Sequence, residues 1–284
     1  MVYDCFAFFN ELDLLELRLG ELNNVVDKFV LVEARFTHQG KEKILYFDEN
    51  KTRFQSYHDK IIHIIVDEIP EHCKLSDNPS IAFENFQRTC IEHGLRNATG
   101  EDCIIVSDLD EILKPKRITE NKNNEGITVF GLKHYAYYIN AFLPPVIPVK
   151  HQLLSIISDK YKNKVTKKRF WMGPVMTKFK NFKSAQALRF LREELDQVDH
   201  IKLDSGWHFS YLGGIDKIIE KLNSIQVEFD YTPYKDKAMI AKRLENGEDI
   251  FGGKFFKIQP IDSSFPEYLV NNIQKFKEYI APFN

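Results

Sequence analysis

Four short apolar runs, each followed by a segment with helical periodicity or a polar loop, fill the first 106 residues and limit what this chain can become. Residues 2–9 (VYDCFAFF), 28–33 (KFVLVE), 61–66 (IIHIIV) and 103–106 (CIIV) read as buried strands, too short for buried helices. Between them Asn10 is placed as an N-cap, and Leu12, Leu15, Leu19 and Leu22 follow at helical spacing. A polar loop covers residues 35–43, and residues 46–60 read as helical. A further helix spans residues 80–96 through Phe83, Phe86, Cys90, Ile91 and Leu95. This alternation predicts an α/β fold built on a mostly parallel, doubly wound sheet. In such sheets ligands bind beyond the carboxyl ends of the strands. Two of those ends carry acids, at Glu33 and in Ser107-Asp108-Leu109-Asp110-Glu111.

The second half is less regular. Aromatic strands are expected at residues 127–130 and 135–139 and a proline-rich turn at 144–148; the GWHFSY segment at 206–211 and a helix over about 215–224 come next. No repeat or low-complexity linker divides the chain, so one continuous domain over residues 1–284 is expected. With 43% hydrophobic and 28% charged residues the composition is that of a globular protein. A net charge of −2 leaves no electrostatic footprint for nucleic acid. The basic cluster at residues 162–169 is either a solvated loop or a phosphate or acceptor contact.

Cys5, Cys73, Cys90 and Cys103 are widely spaced, without a CxxC pair, and suggest neither a disulfide framework nor a zinc site. The first 19 residues are broken by Asp4, Glu11, Asp13 and Glu16, which excludes a signal peptide or membrane span there. A cytoplasmic location is the expectation, and the Asn97-Ala98-Thr99 sequon then has no role.

Asp108-Leu109-Asp110 carries the chemistry. Side chains at i and i+2 of an extended segment point the same way, so both carboxylates can address one ion. A hard divalent cation, Mg²⁺ or Mn²⁺, held by such a pair can neutralise a nucleotide diphosphate leaving group. Surface turns contain DxD often; its place directly after a buried strand is what makes it informative.

The opening stretch (YDCF at Tyr3–Phe6, FFNELDLLE at Phe8–Glu16) resembles that of glycosyltransferase family 17. Further matches follow in family order: FVLVEA at Phe29–Ala34, Thr37-His38, FQR at Phe86–Arg88, SDLDEI at Ser107–Ile112 and GWHFSYLGG at Gly206–Gly214. Small departures occur at Gln39, Thr89, Leu113 and Ser205, and the membrane anchor of the animal members has no counterpart here. The resemblance implies a GT-A-type fold and inverting, metal-dependent transfer from a UDP-sugar, UDP-N-acetylglucosamine first, to a carbohydrate acceptor. Residues 1–113 would then bind the nucleotide-sugar donor, and residues 114–284 would form the acceptor side with C-terminal helices.

On that reading Glu33 and Ala34 meet the nucleoside, a carboxylate for ribose hydroxyls and a small residue beneath the base; the alternative for Glu33 is a turn or helix cap. His38 is either a ligand contact or a surface histidine. Arg88 pairs with phosphate or with Asp108, or makes a purely structural ion pair. A late histidine often completes the metal shell of GT-A enzymes, which makes His208 a candidate ligand beside Asp108 and Asp110; a buried hydrogen-bonded role is the alternative. Trp207 either stacks on acceptor sugar or belongs to the core. Asp216, after Gly213-Gly214 at a helix start, is the expected general base, with Glu111 and Glu228 as alternatives. Three rivals remain: the same fold with another UDP-sugar, a metal-dependent phosphohydrolase, and a catalytically silent carbohydrate-binding module.

Overall fold

The computed structural model describes residues 1–145, 165–225 and 230–282. Glu228, the end of the proline-rich turn and the first three residues of the basic cluster lie outside the described residues. β1 (Val2–Phe8), β2 (Lys28–Ala34), β3 (Ile61–Val66) and β4 (Cys103–Val106) lie in the order β3-β2-β1-β4, all parallel. They are followed by β5 (Glu111–Leu113), β6 (Ile127–Ala136), β7 (Ala141–Phe142), β8 (Trp171–Lys178), β9 (His200–Lys202), β10 (Gly206–Ser210) and β11 (Lys257–Ile258).

The expected α/β class holds, with a mixed sheet. β8 runs antiparallel between β4 and β6, and Val175 lies opposite both Val106 and Val129. β10 then adds parallel to β6 and antiparallel to β5. Strands from both halves of the chain therefore share one sheet. The two strands expected between residues 127 and 139 form one ten-residue strand, β6, which ends where Tyr137 turns to a left-handed φ of 71°.

Alternation along the parallel strands sorts the core onto two faces. Val2, Phe6, Phe8, Phe29 and Leu31 pack with Leu15, Leu19 and Leu22 of the Leu12–Leu22 helix. Tyr3, Cys5, Val30 and Val32 pack on the other face with Phe83, Ile91 and Leu95. All four cysteines are buried and unbridged. The Leu12–Leu22 helix starts without the expected Asn10 side-chain cap. Residues 46–60 form a short helix, Tyr46–Glu49, and a 3₁₀ segment, Lys51–Tyr57, with Phe54 off helical geometry between its turns. The helix expected at 80–96 is α-helical over Pro79–Thr89, capped by Asn78, and tightens to 3₁₀ at Cys90–Leu95.

The parity that buries Phe6 also turns Asp4 towards the Leu12–Leu22 helix, where Arg18 meets it. The Arg18 guanidinium donates to Asp4 Oδ2 at 2.8 Å and Oδ1 at 2.6 Å, and to Ser107 Oγ at 2.5 Å. Its remaining amino group donates to the carbonyls of Asp108, Leu109 and Glu111 at 2.8, 3.1 and 3.0 Å. Asp4 and Arg18 are both buried, and the guanidinium lies 4.5 Å from the centroid of the Phe6 ring.

Arg18→Met should therefore lower unfolding stability by about 3–5 kcal/mol, because the buried Asp4 carboxylate loses its counter-ion. Urea denaturation checks this. Adding Asp4→Leu should recover only part of the loss, since the carbonyls after β4 stay without their donor. A loss under about 1 kcal/mol for the single variant would refute the assignment.

Candidate active site

The strand ends enclose a cleft of about 450 Å³. Phe8 and Phe9 reach it from the end of β1, Thr37 and His38 from beyond β2, and Asp108 and Asp110 from beyond β4. His134 and Ala136 of β6, Trp171 of β8, and His208 and Ser210 of β10 form other parts of its wall.

Strand pairing brings distant residues together here. His208 is opposite Glu111 on β5 and His134 on β6, while Phe209 N donates to the Asp110 carbonyl at 2.8 Å. Pairing this tight needs Gly206, where a Cβ would sit 2.1 Å from the Ile112 carbonyl oxygen. The His208 ring packs against Trp171, at a centroid distance of 4.1 Å, and against His134, at 4.6 Å, and the centroids of those two rings are themselves 5.5 Å apart. Its Nε2 faces Asp110 Oδ1 at 3.5 Å, and its buried Nδ1 has no hydrogen-bond partner among the described residues. Burial holds His134 well below the usual imidazole range, so that ring is neutral near pH 7.

Asp110 is buried, and its Oδ2 takes a hydrogen bond from Lys221 at 3.1 Å. Burial would raise its pKa, but Lys221 and His208 outweigh that and hold the carboxyl below its ordinary range. For Lys221 burial works in the lowering direction, and Asp110 and Glu11 overcome it to raise its pKa. Asp108 points into a cluster of arginines: Arg189 Nη2 is 2.5 Å from Oδ2 and Arg88 Nη2 is 3.4 Å from Oδ1. Against the cost of burial, Arg189, Arg88 and Arg192 hold Asp108 strongly ionised.

Glu111 has a structural part in this cluster. Its Oε1 accepts from Trp171 Nε1 at 2.6 Å and from Arg189 at 2.7 Å, and its Oε2 from Asp108 N at 3.0 Å. Gly173 makes room for it, since a Cβ there would come 2.9 Å from the Glu111 carboxyl carbon. Fully buried and held by three hydrogen bonds, Glu111 does not line the cleft where a substrate proton would be taken.

The other expected site residues divide. Arg88 lines the cleft while bonded to Glu84 and Gln186 at 2.7 Å each. His38 also lines it, its Nε2 3.0 Å from Gln87 Oε1. Glu33 and Ala34 need correcting: both are 0% exposed and neither borders the cleft. Glu33 accepts from the backbone N–H of Phe47 at 2.9 Å and Asp48 at 3.4 Å, which caps the Tyr46–Glu49 helix, and it pairs with His63 at 3.1 Å. Asp216 is a second correction. It lies in the first turn of the Gly214–Leu222 helix with its carboxylate 84% exposed and paired to Lys237, and it does not line the cleft. Trp207 belongs to the core, its Nε1 bonded to the Ser264 carbonyl at 3.1 Å.

Sequence reading did not single out Arg18, Arg189, Lys221, Trp171 or His134. Of these only His134, a polar residue inside an aromatic strand, carried a local signal.

Whether a metal ion fits is decided by donor geometry. Two ligand atoms each about 2.1 Å from one ion stand about 3.0 to 4.2 Å apart as the bond angle opens from a right angle to a straight line. The 3.5 Å between His208 Nε2 and Asp110 Oδ1 falls inside that interval. Asp110 and His208 thus fit as a half-shell that substrate oxygens and water would complete. Asp108 contributes through its arginines, and no cluster of three or more potential ligand side chains occurs among the described residues.

Over 94% of its length the chain is 25% identical to the rat and human enzymes named beta-1,4-mannosyl-glycoprotein 4-beta-N-acetylglucosaminyltransferase. It spans about half the length of these relatives, 52% of each. Solved structures similar to it include glucosyl-3-phosphoglycerate synthase of M. tuberculosis, with a TM-score of 0.36 and 9% identity over 96% of this chain and 92% of that one. Another is the inositol-1-phosphate CTP transferase of T. maritima, with a TM-score of 0.36 and 11% identity over 99% and 97% of the two chains. Residues 1–144, half of the chain and the part that holds β1–β4 and the Asp108-Leu109-Asp110 loop, match the family model described as Glycosyltransferase family 17; the chain belongs to that family.

Proposed function

We propose that this chain is an inverting N-acetylglucosaminyltransferase that takes its sugar from UDP-N-acetylglucosamine and passes it to a mannose-containing glycan or glycoconjugate. The observation that carries the reading is the pairing of Asp110 with His208 in a cleft also lined by Arg88, Lys43, Lys221 and Lys254. The names of the curated relatives supply N-acetylglucosamine and a mannosyl acceptor.

Transfer breaks the bond between the anomeric carbon and the diphosphate, and the leaving group accumulates negative charge. Cations fixed beforehand at that point stabilise the transition state more than the ground state. Arg88 and Lys221 are fixed in this way, each tied to an aspartate of the DxD loop. Asp110 and His208 would hold a divalent ion, Mn²⁺ in preference to Mg²⁺ because of the imidazole. When bound, the ion supplies Lewis-acid neutralisation of the diphosphate. The Trp171 and His134 rings packed against His208 hold it in one orientation. Phe36, Tyr231 and Phe251, elsewhere on the cleft wall, offer apolar faces to a base or a sugar ring.

Calorimetric titration of the protein with a panel of nucleotide sugars, with and without Mn²⁺, tests the reading. UDP-N-acetylglucosamine should bind best and only with the ion; equal affinity in a chelator would overturn the metal dependence. Asp110→Asn should weaken Mn²⁺-dependent UDP binding by at least about tenfold while the far-UV spectrum is kept, a loss of about 1.4 kcal/mol or more. His208→Phe should do the same, and an unchanged affinity would remove the histidine from the ion. Glu33→Gln should lower the thermal midpoint by several degrees and leave UDP affinity within about twofold.

A further inference from the structure

A second cavity of about 290 Å³ adjoins the cleft, and Glu11, Tyr211 and Lys221 line both. Tyr46 and Tyr279 add aromatic faces to its wall, and Asp13 and Arg53 add polar edges. Aromatic faces with convergent carboxylate and guanidinium groups are what a pyranose ring needs: its C–H face stacks and its hydroxyls find donors and acceptors.

The carboxylates on the main cleft differ sharply in how they are occupied. Glu84 is bonded to Arg88, Asp108 to Arg189 and Asp110 to Lys221. Asp249 accepts the Tyr137 hydroxyl. Glu11 is different: among the described residues its Oε2 takes only a 3.2 Å bond from Asn10 N, and its Oε1 stands 4.0 Å from Lys221 Nζ. It is partly exposed and sits on the boundary of the two cavities.

We propose that the second cavity is the acceptor-sugar subsite and that Glu11 is the general base of the transfer. This rests on the donor reading given under Proposed function. The acceptor hydroxyl would enter from the smaller cavity and attack the anomeric carbon on the face opposite the diphosphate. Its oxygen forms the new glycosidic bond, and its proton passes to Glu11. The bond to the diphosphate breaks, and the electron pair leaves on the phosphate oxygen. Lys221 links the two halves of the event, bonded to Asp110 on the donor side and facing Glu11 on the acceptor side.

The test compares the parent protein with Glu11→Gln and Leu212→Trp, the latter filling the smaller cavity from a wall residue that does not border the cleft. Three quantities are read: Mn²⁺-dependent UDP affinity, saturation transfer to methyl β-mannoside, and UDP release from UDP-N-acetylglucosamine with methyl β-mannoside present. Glu11→Gln should keep UDP affinity within about twofold and keep saturation transfer, while UDP release falls by at least about 10²-fold. Leu212→Trp should keep UDP affinity and lose saturation transfer. Release by Glu11→Gln within about threefold of the parent overturns the base assignment. Saturation transfer that survives Leu212→Trp, or that is absent from the parent, overturns the subsite. A parent protein that binds both ligands and releases no UDP also overturns Glu11 as base. Failure of the parent to bind UDP strikes the donor reading first and is seen before any variant is made.

Discussion

The guanidinium of Arg18 bonds six acceptor atoms on two separate pieces of chain: the Asp4 carboxylate on β1, and beyond β4 the Ser107 hydroxyl with the carbonyls of Asp108, Leu109 and Glu111. A loop leaving a buried strand exposes carbonyls that neither sheet nor helix can satisfy, and leaving them bare in the interior costs more than any one bond returns. Arg18 removes that cost and in doing so sets the path of residues 107–111. The directions of the Asp108 and Asp110 carboxylates follow from a side chain 90 positions earlier. Arg189 closes the arrangement from the far side through Asp108 and Glu111. Charges alternate in sign through this cluster, so each desolvated ion has an opposite neighbour.

What could be read from the chain follows from the range of the interactions involved. Strands β1, β2 and β4 are visible as apolar runs because they lie inside the sheet and are buried on both faces, and β3, at its edge, is as apolar though only partly buried. The Asp108 loop is visible because its neighbours in sequence are also its structural context. β8 is hidden: Trp171–Lys178 includes a glycine and a proline, and its place between β4 and β6 is decided by partners far off in sequence. Arg18, between Leu17 and Leu19, looks like any solvated helix residue until Asp4 is found to face it. Glu33 shows the ambiguity of a strand-end carboxylate. The pattern is the same whether the acid meets a ligand or a helix N-terminus, and here the N–H groups of Phe47 and Asp48 decide. For Asp216 the helix start was correctly read, but the direction of that first turn was not in the pattern.

The cleft also shows how a site is held ready for an anion. Lys221 keeps its charge on the wall because Asp110 and Glu11 outweigh the cost of its burial, and Arg88 is tied to Glu84 and Asp108. A diphosphate bound as proposed would meet charges already in place, and little reorganisation would be left for the reaction itself. Stacking does for His208 what ion pairing does for the cations: it removes alternative rotamers.

The antiparallel β8 has a consequence for how the molecule comes into being. β4 and β6 are near in sequence, yet they cannot join directly, because residues 171–178 must lie between them. During synthesis the all-apolar β4 therefore waits with one edge uncovered while more than sixty further residues emerge. An uncovered apolar edge is a template for wrong pairing, and long-range closure of this kind is slow. The boundary of ancestry and the boundary of foldability thus fall in different places. A chain cut at residue 144 would keep the region that matches the family model but expose the strand from which the DxD loop springs.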